Sequence, residues 1–312
     1  MQHDFSFDPT YGFDKDGLLA IDAPTPSDDF ADFWRATAEE NADLALDLDV
    51  RSLPSEKIDR ELFEVRFNVL GGLRVGAWLC LPRDGALRGI VVGHGYGGRT
   101  APECAIPIDD AAAIFPCAPG FNLSAALDLP DRAAEHVVHG IATRETYILR
   151  ACVAALWSSA SVLQHMIPGI ESIYLKGGSF GGGLGALALP WDERFVRAHL
   201  SVPTFGHHPL RLQCPCTGSG ESVRRYCQSH PEVIDVLRYY DAAVAAQFAT
   251  QPVLVSPALF DPAVPPPGQF AVYNAWRAEK DLHVLSAGHF TYAEQAAEQD
   301  ALWRALQQFF SD

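Results

Sequence analysis

No stretch of the sequence approaches the about 18 uninterrupted apolar residues that a membrane-spanning helix needs, so no membrane span is expected. The opening MQHDFSFDPTYGF also lacks a basic segment followed by an apolar one, and no secretory signal is read there. Positive charge is scarce. The 23 Lys and Arg face 39 Asp and Glu, a formal net charge of −16, whose field repels a phosphate backbone and argues against a nucleic-acid partner. The seven cysteines (Cys80, Cys104, Cys117, Cys152, Cys214, Cys216 and Cys227) are odd in number and scattered, which argues against a disulfide framework. Cys80, Cys117 and Cys152 sit in the apolar settings AWLCLP, IFPCAP and RACVAAL and read as small buried hydrophobes. Reduced thiols in a cytoplasmic protein are the expectation. Internal repeats and low-complexity tracts are absent as well.

What is present suits an enzyme-sized core. Hydrophobic residues make up 48% of 312, and one α/β domain over 1–312 is expected. Residues 1–27, rich in Asp, Pro and Gly, read as an irregular surface arm. Pro26-Ser27-Asp28-Asp29 then caps a helix running to about Asn41, so that 1–60 forms an N-terminal arm and helix. From residue 62, LFEVRFNVL and LRVGAWLCL alternate about Gly71-Gly72, the pattern of a hairpin. GIVVGHGYGG and AAAIFPC read as strands, 145–166 as a long helix, SIYLKGG as a strand, GGGLGALAL as a helix and RAHLSVP as a strand. A helical stretch near 232–248 follows, then the strand PVLVSPAL, a helix over 268–278, the strand DLHVLSA and a final helix from about 292 to 310. Strands alternating with helices predict a mostly parallel central sheet with helices on both faces. Residues 205–231 are the least regular stretch and read as an excursion from the sheet, either a lid or an oligomer contact.

The most informative residues are Gly177-Gly178-Ser179-Phe180-Gly181, a G-x-S-x-G directly after the strand SIYLK and directly before a small-residue helix. Glycines flank a serine on such a turn because the backbone is strained and the helix must approach the strand closely. A serine hydroxyl needs a base, and the base an orienting acid. In α/β-hydrolases they follow in the order Ser, Asp or Glu, His, on loops after later strands. Asp261 follows PVLVSPALF and His289 follows DLHVLSA, both at carboxyl ends of strands. Ser179, Asp261 and His289 are therefore the candidate triad. Two backbone donors are needed for the tetrahedral intermediate, and the N–H groups of Phe180 and of Tyr96, in His94-Gly95-Tyr96-Gly97-Gly98, are the candidates. His94 itself reads as a structural hydrogen-bonder.

The segments DDFADFWRAT, VVGHGYGGR, KGGSFGGG, YYDAAVAAQFATQPVLVSPALFDPAVPPPGQFAVYNA and AGHF resemble the acetyl xylan esterase/cephalosporin C deacetylase family, nearly from end to end. The resemblance implies an α/β-hydrolase fold, triad roles for Ser179, Asp261 and His289, and oxyanion roles for Tyr96 and Phe180. It also implies removal of acetyl groups from sugars and related small esters without metal or organic cofactor, and homo-oligomers, often hexamers. Three positions depart from the family. Phe180 stands where it carries Gln, Phe290 where it usually carries Glu, and CAPGFNL (117–123) where an Arg-Gly-Gln motif falls. The two phenylalanines lead to an expectation of a more apolar pocket.

The expected reaction is hydrolysis of an acetyl or other short-chain ester through an acyl-serine. Rival readings are a carboxylesterase, thioesterase or amidase for another acyl donor, and a binding member of the fold with a decayed site. A zinc site at His207-His208 and Cys214-x-Cys216 has suitable ligands but matches no common spacing, and no metal is expected.

Overall fold

The alternating stretch after residue 60 builds the hairpin, and the short apolar runs that follow build the interior of a sheet. The structure is a computed structural model that describes residues 1–55, 59–103 and 105–311; of the cysteines, Cys104 lies outside the described residues. Among these, nine strands form one sheet: β1 (Asp49–Leu53), β2 (Arg60–Val69), β3 (Leu73–Pro82), β4 (Arg88–Gly93), β5 (Ala112–Pro116), β6 (Ser172–Gly178), β7 (Phe195–Ser201), β8 (Val253–Ser256) and β9 (Lys280–Leu282). Their order is β1-β2-β3-β5-β4-β6-β7-β8-β9. β1, β2, β3 and β5 pair antiparallel, and every pairing from β5 to β9 is parallel.

Parallel strands need crossovers that cover both faces. One face carries the Ile148–Met166 helix, most of whose residues are buried, with the Phe30–Ala42 and Phe180–Ala188 helices packed beside it. That face holds the larger apolar cluster, which includes Trp34, Phe67, Leu149, Trp157, Leu175 and Phe195. On the other face the Gln295–Phe309 helix sets Leu306 and Phe309, with the following Phe310, over Ile90, Val92, Phe115 and Leu254. The free thiols Cys80, Cys117 and Cys152 are buried, as their apolar surroundings predict.

Three expectations need correction. Residues 1–60 are not only arm and helix: Asp49–Leu53 is the edge strand of the sheet, paired with Leu62 to Arg66. Its residues DVRSL are mostly exposed and carry no apolar alternation, because an edge strand buries little. The helical stretch near 232–248 is broken into short pieces. Asp241, at ψ 113°, ends one run and caps the next, its carboxyl accepting from the amides of Ala243 and Val244 and also of His207 and His208. Within 205–231 the chain does leave the sheet between β7 and β8, but it forms helices at His208–Arg211 and Ser219–Ser229.

Candidate active site

β6 runs straight into the Phe180–Ala188 helix, and Ser179 makes the corner with φ 53° and ψ −111°, a conformation costly for a residue with a Cβ. Hydrogen bonds on both sides hold it. The Ser179 amide donates to Ser201 O at 2.9 Å, and its carbonyl accepts from Gly183 N and Thr204 N at 3.0 and 3.1 Å. The close approach of helix to strand explains Gly181, whose amide donates to His94 O at 2.9 Å. A Cβ on Gly181 would stand 2.7 Å from the carbonyl carbon of Gly93.

His289, with φ 47°, turns its ring over this corner. Nε2 lies 3.0 Å from Ser179 Oγ, and Nδ1 lies 2.8 Å from Asp261 Oδ2. The carboxyl accepts, so Nδ1 carries the proton and Nε2 is free to accept from the serine hydroxyl. Burial alone would lower the imidazole pKa, but the hydrogen bond and charge of Asp261 outweigh it and leave the pKa raised above 6.5. Asp261 is fully buried, and each of its oxygens is engaged. Oδ1 accepts from Ala263 N and Val264 N, both at 2.9 Å, and Oδ2 accepts a further bond from Gln269 Nε2 at 2.9 Å. Gln269, itself buried, accepts from Ala258 N through Oε1 at 2.8 Å, tying the end of β8 to the acid. Sequence reading passed over Gln269; its signal was a polar residue opening a helix after Pro265-Pro266-Pro267.

Tyr96 and Phe180 come together at the same corner. Neither backbone amide is engaged by another group among the described residues, and Gly95, Tyr96 and Ser179 line one cavity. The Phe180 side chain turns away from that cavity. It is fully buried, stacked on the Tyr96 ring with centroids 3.9 Å apart and edge-on to His136 and Phe205. Tyr96 Oη donates to His136 Nδ1 at 3.3 Å, and His136 Nε2 donates to Pro119 O at 2.9 Å. His94 donates through Nδ1 to Gly95 O and accepts the Ala118 amide at Nε2, the structural role read for it.

The cavity above Ser179 has a volume of about 600 Å³. One wall comes from the Ser219–Ser229 helix and the turn before it, which contribute Thr217, Ser219, Glu221, Ser222 and Arg225; Ala133, Ala134, Ala263 and Val264 form the apolar part. A hydrogen bond from Arg224, joined by one from Arg225, holds the Glu221 carboxyl down to about 2. The two phenylalanines expected to make the pocket more apolar do not line it. Phe180 packs behind the site, and Phe290 packs against Phe260 and Phe5 at ring separations of 5.0 and 6.1 Å. Both rings serve packing, and neither lines the cavity.

The N-terminal arm supplies that partner. His3 lies against Phe260, Phe5 and Phe7 stack, and so do Phe7 and Tyr11. Tyr11 Oη donates to Pro215 O at 2.7 Å, and Pro9 O accepts the Asp261 amide at 3.2 Å. Residues 15–19 of the arm are helical.

Among the described residues no group of three or more His, Cys, Asp and Glu is placed to hold a metal, and no helix is long and apolar enough to cross a membrane. His207 Nδ1 accepts from Leu210 N, and His208 Nε2 donates to Tyr240 O.

A mostly parallel sheet with helices on both faces, a strained serine between strand and helix, and histidine and aspartate on later loops define an α/β-hydrolase. The family model for acetyl xylan esterase matches residues 22–106 and 124–307. The chain belongs to the acetyl xylan esterase family and is an esterase of the α/β-hydrolase type. The unmatched interval includes CAPGFNL, where the Arg-Gly-Gln motif is missing. Among solved structures, the chain is similar to an acetyl xylan esterase from Paenibacillus sp. R4, at TM-score 0.83 and 20% identity over 95% of this chain and 100% of that one. It is also similar to acetyl xylan esterase 1 from Thermoanaerobacterium sp. JW/SL YS485, at TM-score 0.79 and 18% identity over 96% and 99%. An acylaminoacyl peptidase from Pyrococcus horikoshii shares the fold more distantly, at TM-score 0.59 and 12% identity over 85% of this chain and 41% of that one.

Proposed function

We propose that the protein hydrolyses acetyl or other short-chain esters, including those on sugars, by a serine mechanism. The observation that carries this reading is the hydrogen-bonded line Ser179–His289–Asp261 at the floor of an open cavity. Ser179 Oγ attacks the ester carbonyl while its proton passes to His289 Nε2. The oxyanion is taken by the amides of Tyr96 and Phe180, each such donor contributing about 3 kcal/mol of transition-state stabilisation. His289 then returns the proton to the departing alcohol, leaving an acyl-serine, and water activated by the same imidazole releases the acid. The hydroxyls of Thr217, Ser219 and Ser222 with the Glu221 carboxylate give the cavity a polar wall suited to a hydroxylated alcohol such as a sugar, and this favours sugar acetates over apolar esters. Acetylated xylose oligomers are members of that class of substrate.

The test compares hydrolysis of p-nitrophenyl acetate by the wild type and by Ser179→Ala. Loss of turnover by a factor of at least about 10⁴ is expected, and equal rates would end the serine reading. A panel of acetylated sugars, longer acyl esters, thioesters and amides then separates deacetylation from its rivals. A reducing, cytoplasmic setting, supported by the six described free cysteines, and a homo-oligomer, supported by the family resemblance, belong to the same proposal. Light scattering of the purified protein tests the assembly.

A further inference from the structure

A second cleft lies on the opposite face of the nucleophile strand. Its volume is about 310 Å³, and it runs between β6–β7 and the Gln295–Phe309 helix, lined by Lys176, Gly178, His199, Ser201, Gln299 and Trp303 among others. The register explains why it is basic. Lys176 pairs with His199, and Gly178 with Ser201, so all four share the face turned to that helix. Lys176 makes no hydrogen bond or ion pair among the described residues, although burial pushes its pKa below the ordinary lysine value. His199 is 2% exposed; its Nε2 lies 2.9 Å from Ser256 Oγ, and its Nδ1 is buried without a partner. With the Ser256 hydroxyl donating to Nε2, the ring proton sits on Nδ1.

Among the described residues no acid makes an ion pair with Lys176. Arg99, buried over the Phe115 ring, and His283 add further basic groups. Glu103 attracts Lys176 only from an exposed position, and Glu298 already accepts from Ser286 and Tyr292. A buried donor without a partner is costly, and an unpaired ammonium in a cleft attracts an anion. We propose that this cleft binds a small organic carboxylate through the Lys176 ammonium, with the Nδ1–H of His199 at its base. The site is separate from the ester-hydrolysing centre, and its existence does not depend on how that centre works. Two donors match one carboxylate group, and the acid released by an esterase is one source of such a ligand.

Trp303 in the wall provides the readout. The full chain is titrated with sodium acetate and with benzoate, against sodium chloride at equal ionic strength, following tryptophan emission and thermal unfolding. A saturable response to the carboxylates, absent with chloride, is expected from the wild type and from Lys176→Arg. Lys176→Gln should bind at least about tenfold more weakly, the loss of one charge-assisted hydrogen bond. Trp303→Phe should lose the emission change but keep the thermal shift. Absence of a saturable response in the wild type, or equal affinity in Lys176→Gln, would overturn the proposal. The second outcome would mean that the carboxylate sits elsewhere, the Ser179 cavity included.

Discussion

The Tyr96 and Phe180 rings lie within 20° of parallel with centroids 3.9 Å apart, so the two residues proposed to supply the oxyanion donors are locked together by their side chains. The donors belong to different segments, one in the loop after β4 and one opening the helix after β6, and their spacing depends on that stack. Phe180→Leu keeps the volume roughly but removes the ring. Stability should fall by about 1 kcal/mol, and kcat for p-nitrophenyl acetate should drop while KM changes little. Urea unfolding and steady-state kinetics measure both. An unchanged kcat would mean that the stack does not set the donors' spacing.

The pH dependence of activity follows from Asp261. Its hydrogen bond and charge raise the His289 pKa above 6.5, and the base works only when neutral. The acidic limb of kcat/KM should therefore lie above pH 6.5. In Asp261→Asn the raising influence is gone while burial, which lowers the pKa, stays. The limb should move to lower pH, and kcat should fall by about 10³–10⁴. A limb that stays in place would show that another group titrates.

Stability should decline in acid for a separate reason. Burial lowers both His94 and His136 to about 4, and each ring is neutral in the fold. Between about pH 6.5 and 4 the unfolded chain binds these protons and the folded one does not, so stability falls as pH falls through that window. Below pH 4 these two rings add no further loss. The full effect is on the order of 3 kcal/mol for each ring. His289, with its pKa raised, acts in the opposite sense, its contribution being lost as pH rises through its folded value. Urea midpoints at pH 7 and pH 4.5 should differ markedly; matching midpoints would contradict the assignment of neutral buried rings.

The arm should matter to catalysis although it touches no substrate. Phe290, beside the base, is packed by Phe5, and Asp261 donates its amide to Pro9. Deleting residues 1–8 should cost about 1–3 kcal/mol of stability through lost aromatic pairs. It should also lower kcat more than it changes KM, because the loops of Asp261 and His289 lose their support. Phe290→Glu, which sets a carboxylate among Phe5 and Phe260, should act in the same direction. Truncation without effect on either quantity would make the arm an ornament.

The triad was legible because each member sits where a local pattern changes. Ser179 stands between a strand and a small-residue helix, and Asp261 follows β8, a short apolar run; the strand before His289 is shorter than its pattern suggested, only Lys280–Leu282. The hairpin and the long helix were readable from their periods for the same reason. What the sequence concealed depends on contacts between distant segments. The edge strand Asp49–Leu53 has no apolar alternation, since only its hydrogen bonds to β2 define it. Gln269 becomes a support for Asp261 only after the Pro266–Ala275 helix folds back. Phe180 and Phe290 looked like pocket walls because adjacency in sequence says nothing about which way a ring points; the partners that capture them, Tyr96 and Phe5, lie in other segments.

The aromatic arm also has a consequence for the order of events during synthesis. Tyr11 is made 204 residues before Pro215, whose carbonyl it meets, and Phe5 waits still longer for Phe290. Through most of translation a strip of phenylalanines has nothing to cover it, exposed to chaperones or to other nascent chains. The arm can settle only after the C-terminal loops have emerged, so its docking belongs to the final steps of maturation, and those steps also bring the acid and the base to the serine.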